Sequence, residues 1–273
     1  MIALKSLIII FLIFYYKKQK SNGVTKQIIN KKINIKDLNY LRNLKKVIYT
    51  ALLGKYDNVP IIKKEIGYDY FMFTDNGFDN KSILNWTILP VDENFKKSNM
   101  SIIKKQRFFK THPHLFFKNY DLSIYIDSTF EIKGNLDEFL LRILTPNISI
   151  YVLEHPDRNS INNEFEAVIF SQRETKEKVV LINNKYKNEK FPDNNGLSEN
   201  CLIVRKHNEL NCIKFMEQWF EEINQNSHRD QLSFNYILWK NNNFNVKYIS
   251  KTFIFEYFYQ NLFHLKYFFF KNN

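Results

Sequence analysis

Residues 104–136 read KKQRFFKTHPHLFFKNYDLSIYIDSTFEIKGNL, and the order of chemistry in this stretch decides the fold. Residues 98–117 read as a helix with Ser98 or Asn99 as its cap. Arg107 and Lys110 lie three apart and share one face of that helix. Residues 122–126 form a short apolar strand, and Asp127 stands at its carboxyl end. A second short strand then leads to the turn Gly134-Asn135-Leu136.

Working outward, residues 47–53 (VIYTALL) and 70–74 (YFMFT) are apolar runs closed by turn-forming residues, and 86–91 reads as a third strand. Downstream, 148–153 and 201–204 read as strands, while 161–182, 210–224 and a segment from 230 to 240 read as helices. Apolar strands alternating with helices predict an α/β fold: a Rossmann-type, mostly parallel sheet with helices on both faces. Such sheets bind ligands beyond the carboxyl ends of their strands. Asp57, Asp75, Asp127 and His155 all fall at such ends, although each alone also suits a turn.

Several short motifs follow one another in the sequence: TALLGKYD (50–57), FTDN (73–76), KTHPH (110–114), YIDS (125–128) and GNL (134–136). HPDR (155–158), a helix carrying Glu164 and Glu166, NNGLSE (194–199) and RDQLSFNY (229–236) complete the series. Over about residues 46–242 this order resembles the glycosyltransferase-like domain family of plant mucilage and turgor-regulation proteins. That family, formerly a domain of unknown function, also occurs in bacterial polysaccharide gene clusters. Its layout is similar to the GT-A glycosyltransferases of family eight, where an Arg-bearing helix leads into a strand ending in Asp-x-Asp.

The resemblance implies a GT-A-like single domain that moves a sugar from a nucleotide-sugar donor to a glycan, glycolipid or protein acceptor, in polysaccharide or surface-glycan synthesis. By the same resemblance Thr50, Ala51 and Tyr56 line the nucleotide pocket, and Asp75 bonds base or ribose. Asp127 faces a metal, Mn²⁺ or Mg²⁺, or the diphosphate itself. Thr129 stands where the second acid of Asp-x-Asp is expected, so the site has one negative charge fewer and Arg107 and Lys110 take a larger share of the diphosphate. His155, Arg158, Glu164 and Glu199 are expected at the sugar or acceptor, and Asp230, Gln231 and Asn195 are the expected catalytic group. Alternatives stand beside these roles: strand packing for Thr50 and Ala51, and helix capping for Asp127 and Asp230. His112 and His114 could ligate a metal, but their flanking of Pro113 favours a helix end that packs.

Rival functions are an inactive GT-A-like binding module, which the Thr129 departure favours, and a lipid hydrolase, for which no Gly-x-Ser-x-Gly or HExxH motif is present. Nucleic acid is not an expected partner: no zinc-finger spacing, RNP-like motif or arginine-rich stripe accompanies the net charge of +12. The two cysteines, Cys201 and Cys212, lack disulfide-framework or zinc spacing and read as buried thiols. At the N-terminus an apolar run over residues 7–16 is followed by Lys17, Lys18 and Lys20. It reads as a membrane-attachment segment holding the domain on the cytoplasmic side. The expected organisation is an attachment segment (1–20), a linker (21–45), the glycosyltransferase domain (46–245) and an aromatic-rich helical segment (246–273).

Overall fold

The computed structural model describes residues 35–54, 59–75, 82–242 and 244–260. In chain order these begin with helix α1 (Ile35–Asn43) and strands β1 (Lys46–Leu52), β2 (Tyr68–Thr74), β3 (Ser82–Ile83) and β4 (Trp86–Pro90). Helices α2 (Glu93–Lys97), α3 (Ile102–Thr111) and α4 (Pro113–Phe116) follow, then strands β5 (Leu122–Ile126) and β6 (Phe130–Ile132), helix α5 (Leu136–Ile143) and strand β7 (Ile150–Glu154). The chain continues through α6 (Ile161–Phe170), α7 (Lys176–Asn188), β8 (Ser198–Arg205), α8 (Leu210–Gln225) and a 3₁₀ turn (Asp230–Leu232). It closes with α9 (Phe234–Lys240), β9 (Val246–Ile249), α10 (Lys251–Ile254) and β10 (Phe258–Gln260).

Eight strands form one sheet in the order β3-β4-β2-β1-β5-β8-β7-β9. The run β4-β2-β1-β5 is parallel, as is the pair β7-β9, whereas β8 runs antiparallel between β5 and β7. The expected α/β architecture, a mostly parallel sheet covered on both faces, is therefore the observed one. Strands β1 and β5 are buried at every position, which is why they read as unbroken apolar runs rather than alternating ones. One face packs Val47, Tyr49, Tyr125 and Ile203 against Phe215, Trp219 and Phe234. The other packs Ile48, Ile124 and Leu202 against Phe139 and Leu140 of α5. Cys201 and Cys212 are free and buried, as expected.

From β1 the chain steps outward to β2 and β4, then returns to place β5 on the other side of β1. This reversal makes the carboxyl ends of β1 and β5 a topological switch point, the position where open α/β sheets bind ligands. Because β8 is antiparallel, its first residues, Ser198 and Glu199, arrive at the same edge opposite Glu154 and Leu153.

Several expected boundaries change. The single helix over 98–117 is two: Ser98 ends α2, Ser101 caps α3 by accepting from the Lys104 amide, and Pro113 starts α4. The ring of Pro113 disfavours a helical conformation at His112, so α3 stops at Thr111. The helix over 161–182 divides at Gln172, whose φ is +54°, and Thr175 caps α7. The segment from 230 opens as a 3₁₀ turn, and the Asp230 side chain does not cap it. Residues 35–43, which read as part of a linker or surface helix, are helical and bury Leu41. Residues 246–260, expected to be helical, are so only over α10; the rest hold the edge strand β9 and the strand β10, which pairs with β6. That second pairing needs Gly134, where an added Cβ would stand 2.8 Å from the Tyr257 Cα. The N-terminal apolar run and residues 261–273 lie outside the described residues. Among the described residues no helix is long and apolar enough to cross a membrane.

Candidate functional site

The site is built from α3 outward. Its last turn leaves carbonyls without intrahelical partners, and the Lys110 carbonyl accepts from the Tyr49 hydroxyl at 2.9 Å and from Arg205 at 2.7 Å. Arg205 is fully buried and also donates to the Tyr49 hydroxyl. This clamp anchors α3 on the sheet and sets the Lys110 side chain at the end of β5.

Lys110 is 1% exposed. Its ammonium lies 2.5 Å from Asp230 Oδ2, 4.0 Å from Asp127 Oδ1 and 5.1 Å from the centre of the Tyr125 ring. Arg107, one turn earlier, places Nε 3.4 Å from the same Asp230 oxygen. The helix-face pairing of Arg107 and Lys110 expected from their spacing is therefore realised. Asp230 is 3% exposed. Burial pushes its pKa up, but Arg107 and Lys110 outweigh burial and hold it far below the usual carboxylate range. A carboxylate so held does not act as a base near neutral pH; it is the counterion that keeps two buried cations in place.

Asp127 follows from period-two alternation in β5, which turns it to the same face as Tyr125. Its amide donates to the Cys201 carbonyl at 2.8 Å, and its own carbonyl accepts from the Phe130 amide at 2.9 Å. The Tyr125 hydroxyl donates to Asp127 Oδ1 at 2.6 Å and accepts from the Gln106 amide at 2.5 Å. Burial and the nearby Asp127 charge raise the Tyr125 pKa well above its ordinary value, so this hydroxyl stays a donor. With 31% of its side chain exposed, Asp127 is the part of the cluster that opens to solvent. Thr129, two residues on, is half-buried.

Arg229 extends the cluster. It is half-buried, its NH2 donates to Gln231 Oε1 at 3.0 Å, and its Nε makes no hydrogen bond among the described residues. Burial lowers its pKa, opposed first by Asp230 and, further off, by Glu164. Arg229 thus lies between this cluster and a second one at the end of β7.

That second cluster holds His155, Arg158 and Glu164. His155 Nδ1 accepts from the amides of Asp157 and Arg158 at 3.2 and 3.1 Å, and the Arg158 guanidinium lies 2.9 Å from Nε2, so both ring nitrogens face donors. Burial, with Arg158 and Lys251 nearby, lowers its pKa to about 4. Arg158 Nε donates to Glu164 Oε2 at 2.6 Å, and Glu164 is 2% exposed. Glu199 pairs with Lys251 at 2.8 Å. The loop before β8 is tied in by Asn235, whose amide donates to the Asn195 carbonyl at 3.0 Å while its oxygen accepts from the Ser198 amide.

Other expected residues are placed differently. Thr50 is fully buried and points to the α5 side of the sheet, away from Lys110 and Asp127, while Ala51 packs into the α3-side core. Strand packing is thus the role the structure gives them. Asp75 Oδ1 accepts from the Gly54 amide at 2.8 Å, tying the ends of β1 and β2 together. Tyr56 and Asp57 lie outside the described residues. His112 stacks on Phe108, bonds Thr111 and the Phe108 carbonyl, and is lowered by burial to about 4; it packs, as does His114. Sequence reasoning missed Tyr49, Gln106, Tyr125, Arg205 and Arg229. RDQL did flag the neighbourhood of Arg229, but nothing in a strand pattern marks Arg205 as a helix clamp.

A divalent cation needs several oxygen or nitrogen ligands. Among the described residues no three His, Cys, Asp or Glu side chains are grouped to hold one. Asp127 faces the Lys110 ammonium, and Asp230 is taken by Lys110 and Arg107. The described residues do not fit a protein-built Mn²⁺ or Mg²⁺ site; they fit an anion.

An α/β sheet with a cationic cluster at the β1/β5 switch point has the layout of a protein that handles a phosphorylated ligand. The chain belongs to the family described as TOD1/MUCI70, glycosyltransferase-like domain, which matches residues 15–266. It is 26% identical over 213 residues to a protein of Arabidopsis thaliana named "Probable hexosyltransferase MUCI70", covering 69% of this chain and 36% of that protein. The chain thus spans little more than a third of that relative's length. Among solved structures it is similar to the WbbM bifunctional glycosyltransferase in its apo form, at TM-score 0.47 and 13% identity, covering 76% of this chain and 39% of the other. It is also similar to apo mouse xyloside xylosyltransferase 1, at TM-score 0.44 and 10% identity, covering 76% and 84%.

Proposed function

We propose that this chain is a nucleotide-sugar-dependent glycosyltransferase of the hexosyltransferase kind. The observation that carries the reading is the cluster of Arg107, Lys110 and Arg229 around Asp230 and Asp127 at the β1/β5 switch point. Family membership and the name of the Arabidopsis relative support it. In sugar transfer the bond from the anomeric carbon to the diphosphate breaks, a bond to an acceptor oxygen forms, and negative charge gathers on the leaving nucleoside diphosphate. Fixed cations already in place stabilise that charge without reorganising during the reaction. The acceptor proton leaves to a diphosphate oxygen, which departs with the nucleotide, while Asp230 stays paired with Lys110 and Arg107. Asp230 is thereby a positioning residue rather than the sugar-orienting group. His155, Arg158 and Glu164 line the sugar or acceptor side.

The acceptor is a glycan or lipid-linked glycan in polysaccharide or surface-glycan synthesis. The apolar run over residues 7–16, with the lysines that follow, attaches the domain to the cytoplasmic face of a membrane. A thermal-shift and calorimetric screen of UDP, GDP and CMP, with their sugars, tests the reading. Stabilisation by one nucleotide class, lost in Lys110→Met, is the expected result. No stabilisation by any of them, in folded protein, overturns it. Binding without transfer or donor hydrolysis marks a binding module instead.

A further inference from the structure

We infer that Arg107, Lys110 and Arg229 take the place of the divalent cation at the donor diphosphate, so that nucleotide binding persists when divalent metal is removed. The inference rests on the donor-site reading above and specifies its electrostatics. Four observations carry it.

A single acid, Asp127, stands at the end of β5, with Thr129 two residues on. Asp127 has one oxygen bonded by the Tyr125 hydroxyl and lying 4.0 Å from the Lys110 ammonium, so a metal ion there would meet a fixed positive charge. Three cations stand against two carboxylates, a positive excess that attracts a diphosphate and that a divalent cation would enlarge. Arg229 contributes the fourth observation. Its guanidinium spends one donor on Gln231, while its Nε is enclosed and makes no hydrogen bond among the described residues. A planar fork with an unspent donor suits a phosphate, which accepts two parallel N–H bonds.

The cluster is also held in advance of any ligand. Asp230 fixes Lys110 and Arg107, Gln231 fixes Arg229, and the Tyr49–Arg205 clamp fixes the end of α3. A metal ion brings its charge with the substrate; here the charge is folded into the protein.

The test is calorimetry on the full chain with inorganic pyrophosphate, UDP and GDP, in EDTA and again in Mn²⁺. Expected is binding of pyrophosphate and of one nucleotide in EDTA, with a Kd within about twofold of that in Mn²⁺. Arg229→Gln should weaken pyrophosphate about tenfold in EDTA, the loss of one charge-assisted hydrogen bond, and Arg229→Lys should recover only part of it. If Arg229→Gln does not fold, the wild-type comparison decides alone. Binding that appears only with Mn²⁺ overturns this inference and leaves the donor site standing. No binding in either condition overturns the donor-site reading, and this inference with it.

Discussion

The two charged clusters at the carboxyl edge of the sheet differ in how their charges balance. Around Lys110 three cations face Asp230 and the half-open Asp127, and the cluster keeps a positive excess. Around Glu164 the Arg158 guanidinium is paired directly beside His155, with Arg229 shared between the two clusters. A balanced buried pair satisfies itself and serves architecture. An unbalanced one, held open by the fold, is arranged to receive an opposite charge. On the proposed reading, the first cluster meets the anionic leaving group and the second shapes the neighbouring wall.

The largest effect should come from unbalancing the first cluster further. Asp230→Asn leaves Lys110 and Arg107 buried without their counterion and should destabilise the fold by about 3–5 kcal/mol in urea unfolding. Glu164→Gln, which frees the partly exposed Arg158, should cost less than half as much. Equal losses would break the contrast between the two clusters.

Acid should separate them next. His155 has a folded pKa of about 4 against an unfolded value near 6.5, so the unfolded chain binds its proton first. Its contribution is complete above about pH 7 and is lost as pH falls from 6.5 to 4, by roughly 2–3 kcal/mol. His112 and His207 are lowered in the same way. Asp230 behaves oppositely, because its folded pKa is depressed. Its stabilisation is present above its unfolded pKa of 3.8 and is lost only as pH falls below that. His155→Asn should therefore flatten the stability curve between pH 6.5 and 4 by about one proton and leave the transition below pH 3.8 in place. An unchanged slope would refute the buried neutral state of His155.

A smaller effect distinguishes the clusters by ligand. Arg107→Ala should weaken nucleotide binding about tenfold, whereas Arg158→Ala should leave the Kd within about twofold. Loss in Arg158→Ala alone would move the diphosphate to the second cluster.

The smallest concerns the loop before β8. Gly196 has φ +75°, and an added Cβ would stand 3.2 Å from Asn235 Nδ2. Gly196→Ala should cost about 1 kcal/mol, read as a shift in the denaturation midpoint. A neutral substitution would show that the Asn235 anchor can give way.

Much of this was legible in residue order. The spacing of Arg107 and Lys110 placed both on one helix face, and the apolar run before Asp127 placed that acid at a strand end. RDQL marks the segment that supplies Arg229 and Asp230, but not the pairing of Asp230 with Lys110 and Arg107. The face that Thr50 takes is not legible in the sequence, because a fully buried strand carries no alternation to show it. Arg205 was invisible for a related reason: a cation inside an apolar strand reads as an exception until its partners, Tyr49 and the Lys110 carbonyl, are seen.

The α/β class, most of the element order from β1 to α9 and the cationic helix beside a strand-end acid are legible in the sequence, because periodicity and local spacing act along the chain. Tertiary structure decided that β8 runs antiparallel, that Asp230, 120 residues from Lys110, closes the ion pair, and that Arg229 stands between two clusters. Charge pairing in a buried site depends on distance in space, and no local pattern encodes which remote residue will neutralise which.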